Sequence, residues 1–549
     1  MTLSMLTKQP GGGMVRIAVS SEPSPEGRRA SGHQTLLALI SGCVAASLNT
    51  VRDRHRSAGA HMSKGRCTMR PTVADLPWSL LPEPLTTRLG HWAYDLSYGD
   101  LDDEVREGVV RLCRDYVVIS LAASTGRGVG ESSGPGLEPL VRLAALYPGP
   151  CTILGRDVTT TPQHAAIVNG AFAHTLNLMD VHRWSAPTHI CPGVFPAVFA
   201  LAETRQVAFP EFALAVAVGV EGITKLGMAL NVGQGVIDTT DANAPGAALA
   251  GAKILGLDRD GHTDALGIGA YLAVGGTISL ELTSPGYWCR PMLSGWQPGT
   301  GVVSALLARE GLRGSPRVIE APTGFLNARS LVPDMAPLSA LGNPFEVTRV
   351  GLKPYPTTRY VHSEIEALMR IVVEEDLAPD DVEKVLIEKP RSMHLVTGTD
   401  DRRDPAAPEV ARLSSFFFAA KVVKDRRAWL DALEPAALHD PETKRLMDRV
   451  ECQPASDLDA LFPEGLPARV TVEKRDGTSS TRTIHQPRGE PERPLSEAEL
   501  MAKYDGLYDY CLADSMPRAR FDEILDRCAE LENCQDIGAF VGSLGGNPS

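Results

Sequence analysis

Val382-Glu383-Lys384-Val385-Leu386-Ile387-Glu388-Lys389 (VEKVLIEK) and Ala468–Glu473 (ARVTVE) interrupt a chain that otherwise reads as helix. Both runs are rich in β-branched residues, as strands require. The second is followed by Asp476-Gly477, a hairpin-turn pair, and then by Thr481–Ile484. Upstream, Asp103–Ala122 places Val105, Val109, Leu112, Tyr116 and Ile119 on one face of an amphipathic helix. Residues 164–181, 194–205, 211–230, 244–256 and 262–280 read as helices rich in Ala, Gly and Leu, which pack closely. Downstream, Phe521, Ile524, Leu525, Cys528 and Leu531 again share a helical face. The order is helical, then α+β, then helical. It predicts a mainly α fold: a large all-helical domain (73–342 and 488–549) with a smaller α+β domain (343–487) inserted in it.

The 549 residues correspond to two to four domains at about 100–200 residues each. With 43% hydrophobic and 22% charged residues, the composition is globular, not disordered. No run reaches the roughly 18 uninterrupted apolar residues of a membrane span, so no membrane partner is expected. Ten cysteines without a C-x-x-C pair suit a reduced compartment. The formal charge of −13 divides unevenly, with +7 on residues 1–70 and −20 on the rest. An acidic body argues against nucleic acid as the main partner and leaves a small anionic substrate open. Residues 1–72 are rich in Gly, Ser, Pro and Arg. They read as a leader, a disordered tail, or an extension upstream of Met62 or Met69. The expected location is cytoplasmic, or mitochondrial if this extension is a transit peptide.

The sequence contains no P-loop, G-x-S-x-G or H-E-x-x-H, and no G-x-G-x-x-G after a strand; Gly267 and Gly269 read as helix-packing residues. Three segments gather polar groups. Asn169–Pro196 holds His174, Asn177, Asp180, His182 and His189 in an apolar setting. Imidazole suits proton transfer near neutral pH. Asp180 is near enough in sequence to orient one of the rings, and His189 stands on a turn before a helix N-terminus. The alternative is a set of loop and core histidines; their spacing matches no common zinc pattern. Gly286–Gly301 centres on Arg290, which reads either as a carboxylate clamp or as a surface Arg. Val350–Ala367 crowds Lys353, Tyr355, Arg359, Tyr360 and His362 onto a Pro-punctuated loop, which suits a polycarboxylate or is simply solvated.

Taken together, these segments resemble the MmgE/PrpD family, which includes 2-methylcitrate dehydratase, cis-aconitate decarboxylase and iminodisuccinate epimerase. The resemblance rests on Asn169-Gly170, His174, Asn177, Asp180, Thr188-His189, and Pro196-Ala197 through Ala202-Glu203. It rests further on Lys353-Pro354-Tyr355-Pro356-Thr357-Thr358-Arg359-Tyr360-Val361-His362, Ala244–Leu257, Gly311–Phe325 and Gly489–Leu500. It covers about residues 76–540. It implies a helical main domain with an α+β lid, a homodimer, no metal or cofactor, and an active site between the domains. The implied chemistry is proton transfer next to a carboxylate, coupled to loss of water or CO2 or to inversion, with cations stabilising enolate-like charge.

By the same resemblance, His189, Lys353 and Asp180 are expected to be catalytic. Asn177, Arg290, Thr358, Arg359, Tyr360 and His362 are expected to bind substrate. Several positions depart from the family pattern. Asn177 and Met179 replace the first two acids of its D-x-D-D motif, Arg290 replaces a Lys, and Leu293 and Thr358 replace His residues. A family His near Asp238 is lost, and a Tyr near Phe416–Phe417 has become Phe. These changes make the site more apolar. They favour a cofactor-free lyase of the dehydratase type on a polycarboxylate or alkylcitrate-type substrate over cis-aconitate decarboxylation itself. An epimerase or isomerase, or a non-catalytic paralogue, are the other readings.

Overall fold

The computed structural model describes residues 3–8, 14–19, 84–127, 137–185, 188–231, 240–273, 290–330 and 332–546. The chain divides into two units, residues 1–77 and 78–549. In the first, β1 (Leu3–Lys8) and β2 (Met14–Val19) pair antiparallel, with Leu3 opposite Val19 and Lys8 opposite Met14. The reading of residues 1–72 as a leader, a disordered tail or an upstream extension does not include this pair. The run MVRIAV has strand-like β-branched content that is lost in the average of a Gly-, Ser- and Arg-rich stretch.

The second unit opens with α1 (Leu85–Asp95) and α2 (Asp103–Ser124). Asp102 caps α2 by accepting from Val105 N at 2.9 Å, and Asp103 and Glu104 stand at its positive end. Val105, Val109, Leu112, Tyr116 and Ile119 are all buried, as their spacing predicts. After α3 (Glu138–Ala145) and the short antiparallel pair β3 (Cys151–Thr152) and β4 (Thr159–Thr160) come the Ala- and Gly-rich helices. These are α4 (Pro162–Thr175), α5 (Cys191–Ala202), α6 (Phe209–Ala229), α7 (Asn243–Ile254) and α8 (Arg259–Leu272). α6 is long and apolar enough to cross a membrane, but its residues are packed inside the protein. The expected helix over 164–181 stops at Thr175, and the chain continues as a loop. Of the expected 262–280 helix, the part beyond 273 lies outside the described residues.

The part of the Gly-rich stretch around Arg290 that the structure describes, residues 290–301, is helical. It opens α9 (Arg290–Arg309), which crosses α4 and α7. A Cβ at Gly295 would lie 2.2 Å from Ile167 O, and one at Gly301 would lie 2.4 Å from Ala247 Cβ. The glycines therefore serve close helix packing. Gly269 does the same against Ala248 of α7, and Gly267 lets α8 approach the backbone of Ser315 in the segment after α9.

A second hydrophobic core spans residues from Val361 to Ile484. Its sheet runs in the order β6 (Val450–Pro454), β5 (Val382–Lys389), β7 (Ala468–Lys474), β8 (Ser479–Ile484). β5 and β6 are parallel; the other pairs are antiparallel. β7 and β8 form the expected hairpin, with Gly477 at φ 85° in its turn. β6 is not expected from the sequence, because VECQP has no strand periodicity and lies at the sheet edge. Ala468, Val470 and Val472 point to one buried face, with α10 (His362–Glu374) and α11 (Ser415–Asp425) packed in the same core. The chain then returns to the first core through Tyr504 and Leu507 of α12 (Glu497–Leu507) and Phe521, Ile524 and Cys528 of α13 (Arg518–Ala529). The fold is mainly helical with small sheets.

Candidate active site

The loop between α4 and α5 is built around two residues. Asn177 is left-handed, at φ 55°, a conformation that Asn tolerates better than most residues. Asp180 is fully buried, and its carboxylate accepts from Ile190 N at 2.7 Å and Cys191 N at 3.0 Å. It is thus the anion that occupies the N-terminus of α5. Burial pushes its pKa up to about 6 against those hydrogen bonds. Asp180 does orient His189, but by its backbone: His189 Nδ1 lies 2.6 Å from Asp180 O. With Nδ1–H donated there, the neutral ring carries its lone pair on Nε2. Asn243 donates to His189 O at 3.3 Å, and the His174 ring meets the His189 ring edge to face at 5.2 Å between centroids. His174 Nδ1 in turn meets Ser294 Oγ of α9 at 2.5 Å.

Lys353 reaches this loop through the backbone. Val181 and Gly351 exchange two hydrogen bonds, 2.8 and 2.9 Å long, which lay residues 351–353 alongside 179–181. The buried Lys353 ammonium donates to Asn177 Oδ1 at 2.8 Å and lies 3.7 Å from Met179 Sδ. The two departures from the D-x-D-D pattern are therefore the groups that surround this lysine. A second buried lysine, Lys503 of α12, donates to Asp115 at 2.6 Å and to Leu178 O at 3.2 Å.

Arg359 and His362 are brought close to Lys353, but their groups face inward. Arg359 is buried, with Nε 2.6 Å from Glu490 Oε1 and Nη1 3.0 Å from His362 Nδ1. Glu490 Oε2 holds Arg183 at 2.8 Å. Burial, with Arg359 and Lys353 nearby, drives the His362 pKa well down, so this ring is neutral. Thr358 is half-buried and donates its N–H to Arg412 O at 3.1 Å, and Arg412 spans to Thr175 O at the end of α4. Tyr360 packs its ring on Phe462, 6.2 Å away, in the second core's territory. The Arg290 side chain lies outside the described residues.

Sequence reasoning singles out His182 but misses the groups it meets. His182 Nε2 lies 2.9 Å from Glu346 Oε2, Lys225 holds Glu346 Oε1 at 2.7 Å, and Glu221 accepts from Gly342 N and Glu346 N. This buried set carries a depressed His182, a Glu221 raised to about 7 by burial, and a Glu346 held ionised by its partners. It clamps one end of the His189 loop. Ser294, Lys503, Asn243 and Glu346 carry no local sequence signal, since each acts by a contact with a distant segment; Glu490 lies in the Gly489–Leu500 motif, but nothing there marks it as a partner of Arg183 and Arg359. Among the described residues, no three His, Cys, Asp or Glu side chains gather as a metal site.

Residues 87–337 match the MmgE/PrpD N-terminal domain model and residues 355–531 match the MmgE/PrpD C-terminal domain model. The chain is 24% identical over 490 residues to the cis-aconitate decarboxylase-like protein oryM of Aspergillus oryzae, covering 84% of this chain and 97% of that one. It is 25% identical over 490 residues to a cis-aconitate decarboxylase of Aspergillus terreus, covering 84% and 96%.

Proposed function

The chain belongs to the MmgE/PrpD family, and from this we propose that it is a lyase acting on a polycarboxylate or alkylcitrate-type substrate by proton transfer next to a carboxylate. The observation that carries the reading is the convergence of Lys353 and His189 on the same four residues, 177–180. His189 takes a proton from the substrate carbon through Nε2. Lys353, steadied by Asn177, lies against the carboxylate and stabilises the enolate-like charge that forms. In a dehydration the β-hydroxyl then departs and leaves as water with the proton that the His189 imidazolium returns; in a decarboxylation no carbon proton is taken, the C–C bond to the carboxylate breaks, and a His189 that starts as the imidazolium protonates the carbon that CO2 leaves. Asp180 positions His189 and shapes the α5 N-terminus; it does not itself transfer the proton. Arg359 and His362 support the Lys353 segment, and Arg290 is the second cation offered to substrate.

Met179 beside Lys353 supports a substrate with an apolar substituent, or with fewer charges than a tricarboxylate. The cis-aconitate decarboxylase names of the relatives make CO2 loss a reaction to assay alongside dehydration. The test is a screen of 2-methylcitrate, citrate, cis-aconitate and longer alkylcitrates, measuring water and CO2 loss, with the native chain and His189→Ala. Turnover that vanishes in the variant while its unfolding curve is retained is the expected result. A variant that turns over at the native rate overturns the assignment. Exchange of a substrate α-hydrogen for deuterium without net elimination would mark an epimerase instead.

A further inference from the structure

Behind the Pro354-Tyr355 segment lies a cavity of about 400 Å³ that the proposed reaction does not use. Pro354, Tyr355 and Met369 wall it with residues 426–429 and with side chains drawn from between Arg488 and Gly506. Trp429 and Tyr355 give it flat apolar faces, and the Trp429 indole is seated on Gly506, where a Cβ would lie 3.0 Å from the ring. Three arginines, Arg426, Arg427 and Arg488, line it with Lys503 against one carboxylate, Glu499, and Arg426 also donates to Leu377 O at 3.3 Å. Glu499 pairs with Arg488. The carboxylates that pair with the other two, Asp376 and Asp431, lie outside the lining and in solvent, at 2.6 and 2.5 Å. Exposed pairs of this kind are weak, so an anion entering the cavity recruits those arginines at little cost. Guanidinium groups beside aromatic faces suit a ligand with an anionic end and a planar ring.

The cavity also adjoins the Lys353 segment and is linked to the 177–180 loop through Lys503. Tyr355 stands two residues after Lys353. Lys503 lines the cavity and holds Leu178 O, next to Asn177. The geometry points to an effector site for an anion bearing a flat ring, with a nucleoside phosphate the simplest form. Its occupant bears on the Lys353 segment through Tyr355 and on the 177–180 loop through Lys503.

The test uses the full chain, with adenosine monophosphate, adenosine and inorganic phosphate as separate probes in calorimetry. It reads binding and exchange instead of turnover, so it stands or falls apart from the reaction proposed above. The monophosphate is expected to bind saturably, and adenosine or phosphate alone far more weakly. Arg427→Ala, at an exposed position, is expected to weaken binding by about tenfold or more, the loss of one charge-assisted hydrogen bond. At saturation, hydrogen exchange of the amides at 178–182 is expected to slow. No saturable heat with the monophosphate overturns the site. Equal binding of adenosine or phosphate alone overturns the ligand class. Native affinity in Arg427→Ala overturns the anion contact, and unchanged exchange at 178–182 overturns the coupling.

Discussion

Asn177 accepts the Lys353 ammonium from a left-handed backbone, so one residue sets both the course of the loop and the place of the lysine. Lys353→Met retains the stem and removes the charge, leaving Asn177 Oδ1 buried without this donor. It is expected to lose turnover and to cost about 1–3 kcal/mol in denaturant unfolding, the usual penalty for a stranded buried acceptor. Asp180 gives a pH-dependent test. Its native pKa of about 6 is above the ordinary 3.8, so the native state binds more protons than the unfolded state between those values. Its contribution to stability is therefore full below about pH 4 and is lost as pH rises through about 6. Asp180→Asn does not titrate. The stability gap between native protein and variant should narrow in favour of the variant by about 2–3 kcal/mol between pH 4 and pH 7. A gap that is constant or that widens over this range would contradict the assignment.

Among the elements, α9 shows how helix packing overrides a local reading. The sequence reading of this stretch concerns only Arg290, as a carboxylate clamp or a surface Arg; rich in Gly and with Pro298 inside it, residues 290–309 nevertheless form a 20-residue helix. The glycines are spaced to let α4 and α7 approach, and a helix without Cβ atoms on one face cannot be told from a loop by composition. Gly295→Ala would drive a methyl into the Ile167 carbonyl and the Ala171 N–H. It should destabilise the protein by about 1–3 kcal/mol or more. Gly99→Ala, where the nearest neighbour is 3.9 Å away, should change stability little by the same thermal or denaturant melt. The strands show the opposite case. β5, β7 and β8 are legible because β-branched residues and a turn dipeptide act locally, whereas edge strand β6 has no such pattern and is specified by its parallel partner.

At the scale of the molecule, Glu490 joins Arg183 of the α4–α5 loop region to Arg359 beside the second core. Glu490→Gln leaves the buried Arg359 guanidinium without its carboxylate. It is expected to cost about 3–5 kcal/mol in denaturant unfolding, and replacing Glu490 and Arg359 together by Met should cost less than the two single changes combined. Such contacts explain which features are legible in the chain itself. Hydrophobic period, capping residues and turn dipeptides are local, so the helical, α+β, helical order can be read directly from the residues, as can the family resemblance carried by short motifs. His189, Lys353 and Asn177 stand out because they lie in such motifs. Their relations do not. The sequence brings Asp180 near His189, but the fold uses the backbone carbonyl for the ring and turns the carboxylate onto the start of α5. It offers Arg359 and His362 as cation and imidazole for a ligand, but the fold spends them on Glu490 and on each other. Which face a side chain turns, and which group it meets, depends on packing between segments, some of them more than 100 residues apart as Arg359 and Glu490 are, and no local pattern encodes that.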